Sequence, residues 1–211
     1  MPEILRKEIG DAALYAVWRI SESTSELFGM IRLRPAETSL YSSFVADNRK
    51  KQWLAYRILI RSLLLPEDYP VEYDESGKPY LAGSRIHISV THSGDLAAVI
   101  LSSRGMAGID IEAVRPRIER VREKYLHPEE LERIKDPQSY GILTLAWCAK
   151  EALYKLNGQR GLDFREHIRL RLPDSPEADG FFGEIRYGTI SRSFRLSFRK
   201  IDDYILVWVL E

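Results

Sequence analysis

The chain has 211 residues, 45% hydrophobic and 29% charged, and its 31 basic and 31 acidic residues cancel to a formal net charge of zero. That length suits one large domain or two small fused ones, each able to bury a core, and the composition is globular rather than disordered. Neutrality argues against a wholesale nucleic-acid binder, and a single cysteine, Cys148, excludes an intrachain disulfide and fits a reducing cytoplasm. The N-terminal MPEILRKEIG lacks an apolar signal core. The apolar runs Leu96–Leu101 and Tyr204–Leu210 fall far short of the ~20 residues a membrane helix needs, so no membrane association is expected.

Ala13–Ile20 (ALYAVWRI) alternates weakly and is rich in β-branched and aromatic residues, which predicts a strand. STSELFGMIRL supplies Ser and Thr caps and then a short helix. Ser42 to Leu65 contains no Pro or Gly, and Phe44, Trp53, Tyr56, Ile60, Leu63 and Leu64 recur at helical spacing, so one long amphipathic helix ended by Pro66 is expected. VEYD leads into the turn DESGKPY, and Ile86–Thr91 and Leu96–Ile100 form a strand pair. After the turn at Ser102–Gly105, Met106–Glu112 is a strand and Pro128–Lys135 a short helix.

Asp136-Pro137 resembles an N-cap with proline at the first helical position, opening a second long helix that stops near Asn157-Gly158. Strands follow near Ile168–Leu172, Phe181–Tyr187, Phe194–Phe198 and Tyr204–Leu210, the last pair turned by Asp202-Asp203. The order strand, short helix, long helix, strands occurs twice. That suggests a duplication, with the halves packed face to face around a cleft.

GIDIE, Gly108 to Glu112, alternates isoleucines with acids. On a strand, Ile109 and Ile111 share one face and Asp110 and Glu112 the other. Two carboxylates side by side repel unless a positive group sits between them. Further on, WCAKEALYK places Glu151 and Lys155 four residues apart on one helical face with Trp147. Alone, either feature is ordinary: an exposed Glu–Lys pair is worth about 0.2–0.5 kcal/mol, and many surface strands carry alternating acids. Cys148 reads as a small packed residue, because no His or Asn neighbours it in a nucleophile pattern.

Together they are specific. GIDIE followed after about 40 residues by W-x-x-K-E-x-x-x-K resembles the signature of 4′-phosphopantetheinyl transferases, in the spacing of the longer, two-halved, surfactin-synthetase-activating type. THSG (Thr91–Gly94) resembles the family's S/T-H-S segment, GKPY (Gly77–Tyr80) its GKP segment, and RKKQWLAYR (Arg49–Arg57) its basic helix. These matches run in the family's order from Arg49 to Lys155. The resemblance implies an α+β fold of two similar α/β subdomains related by pseudo-two-fold symmetry, each a mostly antiparallel sheet on a long helix, with boundaries at 1–104 and 105–211. It also implies a monomer.

The resemblance implies transfer of the phosphopantetheine arm of coenzyme A to a serine of an apo acyl or peptidyl carrier protein, with release of 3′,5′-ADP. Asp110, Glu112 and Glu151 would bind Mg²⁺, with Mn²⁺ as an alternative. Asp110, Glu151 and Lys155 are the expected catalytic residues. Glu151, directly or through a metal-bound water, is the candidate base. Arg49, Arg57, Lys78, Thr91, His92, Asp110 and Lys155 are the expected coenzyme A contacts, with Arg49 and Arg57 suited to gripping a 3′-phosphate.

Lys150, about 100° around the helix from Glu151, is expected to face solvent or a neighbouring strand. The basic stretch Arg117, Arg120, Arg122 and Lys124 reads equally as a docking surface for an acidic carrier protein or as an ordinary charged segment. Two other function classes compete. A metal-dependent nuclease or phosphatase could use the same three acids with water as nucleophile. A non-catalytic module could merely bind the carrier or a nucleotide.

Overall fold

The computed structural model describes residues 3–134, 136, 138–158, 161–173 and 180–211. The first half opens with β1 (Glu3–Ile9) and β2 (Ala13–Arg19), then α1 (Thr24–Gly29) and α2 (Pro35–Ser43). Ser23 and Glu26 form a reciprocal capping box at α1, and proline begins α2. Next come α3 (Asp47–Leu64), the hairpin β3 (Val71–Tyr73) and β4 (Pro79–Leu81), and β5 (His87–Ser93) with β6 (Leu96–Ser102).

The single helix expected from Ser42 to Leu65 is two. The backbone is extended at Phe44 and Ala46, and α3 starts afresh at Asp47. No proline or glycine marks the break. Phe44 instead turns its ring toward Trp53, with centroids 5.9 Å apart, so tertiary packing interrupts a pattern that reads as continuous. The turn between β3 and β4 is the expected one. Gly77 takes a φ of 86°, and Asp74 Oδ1 accepts from the Ser76 and Lys78 amides.

The second half holds β7 (Ala107–Ala113), a 3-10 turn (Pro116–Val121), α4 (Arg122–Tyr125), α5 (Pro128–Arg133), α6 (Tyr140–Asn157), α7 (Phe164–His167), β8 (Ile168–Arg171), β9 (Phe181–Tyr187), β10 (Ile190–Ile201) and β11 (Tyr204–Leu210). The N-cap of α6 is Ser139, not Asp136, whose carboxylate accepts from the Gln138 amide instead; Pro137 and Lys135 lie outside the described residues. Gly158 ends α6 with φ 68°, as expected.

Among the described residues the two larger antiparallel sheets, besides the β3-β4 hairpin, have the orders β1-β2-β6-β5 and β7-β11-β10-β9-β8. Alternation along the strands sorts the core into layers. Ala97, Val99 and Leu101 of β6 pack with Trp53, Leu54 and Ile60 of α3. Leu96, Ala98 and Ile100 face the other way, onto Ile109 and Ile111 of β7 and Leu206 and Trp208 of β11. Val207 and Val209 of β11 pack beneath Ala149, Leu153 and Leu156 of α6. The molecule is therefore helix, sheet, sheet, helix, an α+β arrangement in which each sheet carries one long helix.

Candidate active site at the seam between the two sheets

β5 and β7 are edge strands of different sheets, yet they lie side by side. Ser89 Oγ accepts from the Ile109 amide at 3.2 Å and Thr91 Oγ1 from the Ile111 amide at 3.2 Å. Partners advance together along both strands, so the two run parallel, and side-chain hydroxyls take the place of carbonyls in satisfying β7's buried amides. With Ile109 and Ile111 turned into the inter-sheet core, Asp110 and Glu112 project to the α6 side.

There Asp110 is 4% exposed. Its Oδ1 accepts from Thr91 Oγ1 at 2.9 Å and from Lys155 Nζ at 2.7 Å, while its Oδ2 is buried with no partner. Lys155 Nζ also donates to the Ile109 carbonyl at 3.1 Å. Glu112 Oε2 accepts from Ser93 Oγ at 2.6 Å.

Thr91, Asp110, Glu112 and Lys155 line a cleft of about 410 Å³ together with Glu151 and Trp147 of α6. The opposite wall comes from the first half: Arg49 of α3, Tyr73 of β3, Lys78 of the β3–β4 hairpin, and His92. Burial, followed by the nearby charge of Asp110, pushes the Glu151 carboxyl up to about 7, and burial raises that of Glu112. Burial, with Arg49 and Lys155 adding to it, drives the His92 imidazole down to about 4; Arg49 and His92 Nε2 are in direct contact. Burial also lowers Lys78, whose Nζ donates to the Leu156 carbonyl at 3.2 Å. The cleft thus has an acid-rich end on β7 and α6 and a nitrogen-rich end on α3, β5 and the hairpin.

Among the described residues, no group of three or more His, Cys, Asp or Glu side chains is gathered tightly enough to hold a metal ion by itself. The donor set nevertheless fits a hard divalent cation. Mg²⁺ takes oxygen ligands, keeps several waters and needs only one or two carboxylates beside substrate phosphates. Asp110 Oδ2 is a buried carboxylate oxygen with nothing to accept from, a costly arrangement unless something binds it. The carboxyls of Glu112 and Glu151 line the same cleft.

Of the expected site residues, Asp110, Glu112, Glu151, Lys155, Arg49, Lys78, Thr91 and His92 all border this cleft. Arg57 does not. It is 2% exposed, paired with Glu37 at 2.8 Å, donating to the Val71 carbonyl and Tyr73 Oη, and stacked on Trp53 at 4.7 Å. Arg57 lies under α2 and β3 with both terminal guanidinium nitrogens engaged there rather than in the cleft. Thr91 is also differently employed. Its hydroxyl proton goes to Asp110 and its lone pair to the Ile111 amide, so no donor remains for a ligand phosphate.

Lys150 takes the second of its two expected orientations. It is fully buried against Glu130 at 2.7 Å and the carbonyls of Phe164 and Ile168 at the start of β8. Cys148 is fully buried, as expected of a packed residue. Arg117 and Arg120 border a second cavity of about 390 Å³ that shares Glu112 and Trp147 with the first. Ser89 and Ser93 were not among the expected site residues; the spacing S-x-T-x-S on β5 was the available signal.

Residues 106–207 match the family model of the 4′-phosphopantetheinyl transferase superfamily. The chain is 34% identical over 116 residues to the 4′-phosphopantetheinyl transferase AcpT of Salmonella typhimurium, across 52% of this chain and 60% of that protein. It is 33% identical over 121 residues to AcpT of Escherichia coli, covering 52% and 59%. Against the 4′-phosphopantetheinyl transferase HetI of Nostoc sp. it is 28% identical over 179 residues, covering 76% and 75%. The chain thus spans about 60% of the length of the AcpT relatives it matches.

Proposed function

We propose that this chain, whose residues 106–207 match the 4′-phosphopantetheinyl transferase superfamily, moves 4′-phosphopantetheine from coenzyme A to a serine hydroxyl of an apo acyl or peptidyl carrier protein, releasing 3′,5′-ADP. What supports the reading is one arrangement: a bare, buried carboxylate oxygen on Asp110, beside Lys155 and Glu151, across a cleft from Arg49, Lys78 and His92. A diphosphate donor needs cationic groups at one end and charge neutralisation at the reacting phosphorus.

Lys155, anchored on Asp110 Oδ1 and the Ile109 carbonyl, stands beside the acids to stabilise charge on the departing oxygen. Glu151, held near neutrality by burial, is poised to take the serine proton directly or through a water. Arg49, His92 and Lys78 collect the donor's phosphates. Asp110, Glu112 and Glu151 would hold Mg²⁺ or Mn²⁺, whose charge neutralises the diphosphate.

The protein works as a two-halved monomer in the cytoplasm; the cleft draws walls from both halves of one chain, and the lone cysteine is buried. Among the described residues, no helix is long and apolar enough to cross a membrane.

The test is a mass-shift assay with coenzyme A, Mg²⁺ and apo carriers from fatty-acid, polyketide and peptide-synthetase pathways. The expected result is a gain of one phosphopantetheine on at least one carrier. Coenzyme A cleavage with no gain on any carrier would instead favour a hydrolase.

A further inference from the structure

We infer that Thr91 and Ser93 on β5 are positioning residues that orient Asp110 and Glu112 from across the seam, so that the first half of the chain aims the carboxylates of the second. The inference deepens the transferase reading and rests on it.

Residues 89, 91 and 93 share one side of β5 because strand side chains alternate, and all three carry hydroxyls. Each does something definite to β7. Ser89 Oγ holds the Ile109 amide at 3.2 Å. Thr91 Oγ1 holds the Ile111 amide at 3.2 Å and gives its proton to Asp110 Oδ1 at 2.9 Å. Ser93 Oγ gives its proton to Glu112 Oε2 at 2.6 Å. The two amides fix the height of β7 against β5. The two hydroxyl protons then fix the carboxylates on that backbone.

For Asp110 the consequence is geometric. Thr91 and Lys155 both bind Oδ1, which leaves Oδ2 buried and bare. A carboxylate free to rotate would exchange its two oxygens. With two donors on one oxygen, the carboxylate is held in one orientation and the other oxygen is kept apart from both donors. A valine at 91 keeps the shape and removes both services, whereas a serine keeps both. At 93 only the bond to Glu112 is at stake, so alanine there leaves the backbone contacts of the seam in place.

Partners that orient carboxylate ligands typically cost 10–100-fold in metal affinity when removed. The experiment is calorimetric titration of the whole protein with Mn²⁺, then with coenzyme A in EDTA, for the parent, Thr91→Val, Thr91→Ser and Ser93→Ala. Thr91→Val and Ser93→Ala are expected to weaken Mn²⁺ binding about tenfold or more. Thr91→Ser should stay close to the parent, and coenzyme A binding in EDTA should be unchanged throughout.

If Thr91→Val weakens coenzyme A in EDTA and leaves Mn²⁺ alone, Thr91 contacts the donor itself and the inference is overturned. Mn²⁺ binding equal to the parent's in every variant overturns it too, while leaving the transferase reading intact. A parent that neither binds Mn²⁺ nor modifies any carrier sinks the transferase reading and this inference with it. If Thr91→Val does not fold, Ser93→Ala decides alone.

Discussion

Gly108 of β7 lies directly against Ala152 of α6: a Cβ on Gly108 would stand 1.9 Å from the Ala152 carbonyl oxygen and 3.0 Å from the Leu156 amide nitrogen. Helix backbone rests on strand backbone at this point, and that contact sets Glu151 and Lys155 beside Asp110. The glycine that opens GIDIE is there for close approach rather than for an unusual φ.

Gly108→Ala is therefore expected to lift α6 off β7. Overpacking of this kind costs about 1–3 kcal/mol, occasionally more. Turnover should fall further than stability, because the displacement separates the two acid-bearing elements. Urea denaturation alongside the carrier mass-shift assay checks both, and a variant matching the parent in each would refute the account.

Arg49 and Arg57 should behave oppositely although both lie on α3. Arg57→Ala takes from the buried Glu37 one of its two arginines and leaves Arg61, so it should cost less than the about 3–5 kcal/mol of breaking a buried pair outright. It is expected to appear as lost stability in denaturant. Arg49→Ala should leave stability nearly unchanged and weaken coenzyme A roughly tenfold or more, since a hydrogen bond to a charged group is worth about 1.5–3 kcal/mol. Titration calorimetry separates the two, and an Arg57 variant that folds normally but cannot bind coenzyme A would reverse the assignment.

Lys155→Ala is expected to lower kcat more than it weakens coenzyme A, as befits a group acting mainly in the transition state. Asp110→Ala and Glu151→Ala should abolish transfer. EDTA should stop the parent enzyme and added Mg²⁺ restore it; steady-state kinetics that persist in chelator would contradict the role given to the three acids.

His92 makes the empty protein sensitive to acid. Its folded pKa, about 4, lies below the ordinary histidine value, so between roughly pH 6.5 and 4 the unfolded chain binds the proton that the folded one refuses. This contribution to stability is fully present above that window and is lost as the pH falls through it. Thermal melts of the parent should decline across the window more steeply than those of His92→Asn. A phosphate beside His92 and Arg49 reverses the preference and favours the imidazolium. Coenzyme A binding near pH 6 should then take up a proton, measurable as a dependence of the calorimetric heat on the buffer's ionisation enthalpy.

Much of this was legible in the chain because the physics was local. The acids of GIDIE sit on one face of β7 by strand alternation alone, and Glu151 and Lys155 share a face of α6 by helical spacing. LAAVIL reads as an unbroken apolar run because β6 is covered on both faces. What escaped was long-range. β1 is an edge strand whose side chains are mostly half-buried or exposed, so its sequence carries little pattern. The break before Asp47 is made by Phe44 reaching toward Trp53, a tertiary contact that periodicity does not encode. Arg57 is indistinguishable from Arg49 until Glu37 arrives from another helix.

The seam between β5 and β7 bears on how the protein comes to be competent at all. Neither sheet by itself owns a finished cleft, and beside the apolar layer that joins them the strand-to-strand stitches at the cleft are hydroxyls rather than a ladder of amides and carbonyls. A change confined to these stitches is expected to leave both sheets in place, so that the protein looks native to circular dichroism yet is inert. Loss of activity in this chain therefore need not report loss of folding; it can report a poor join.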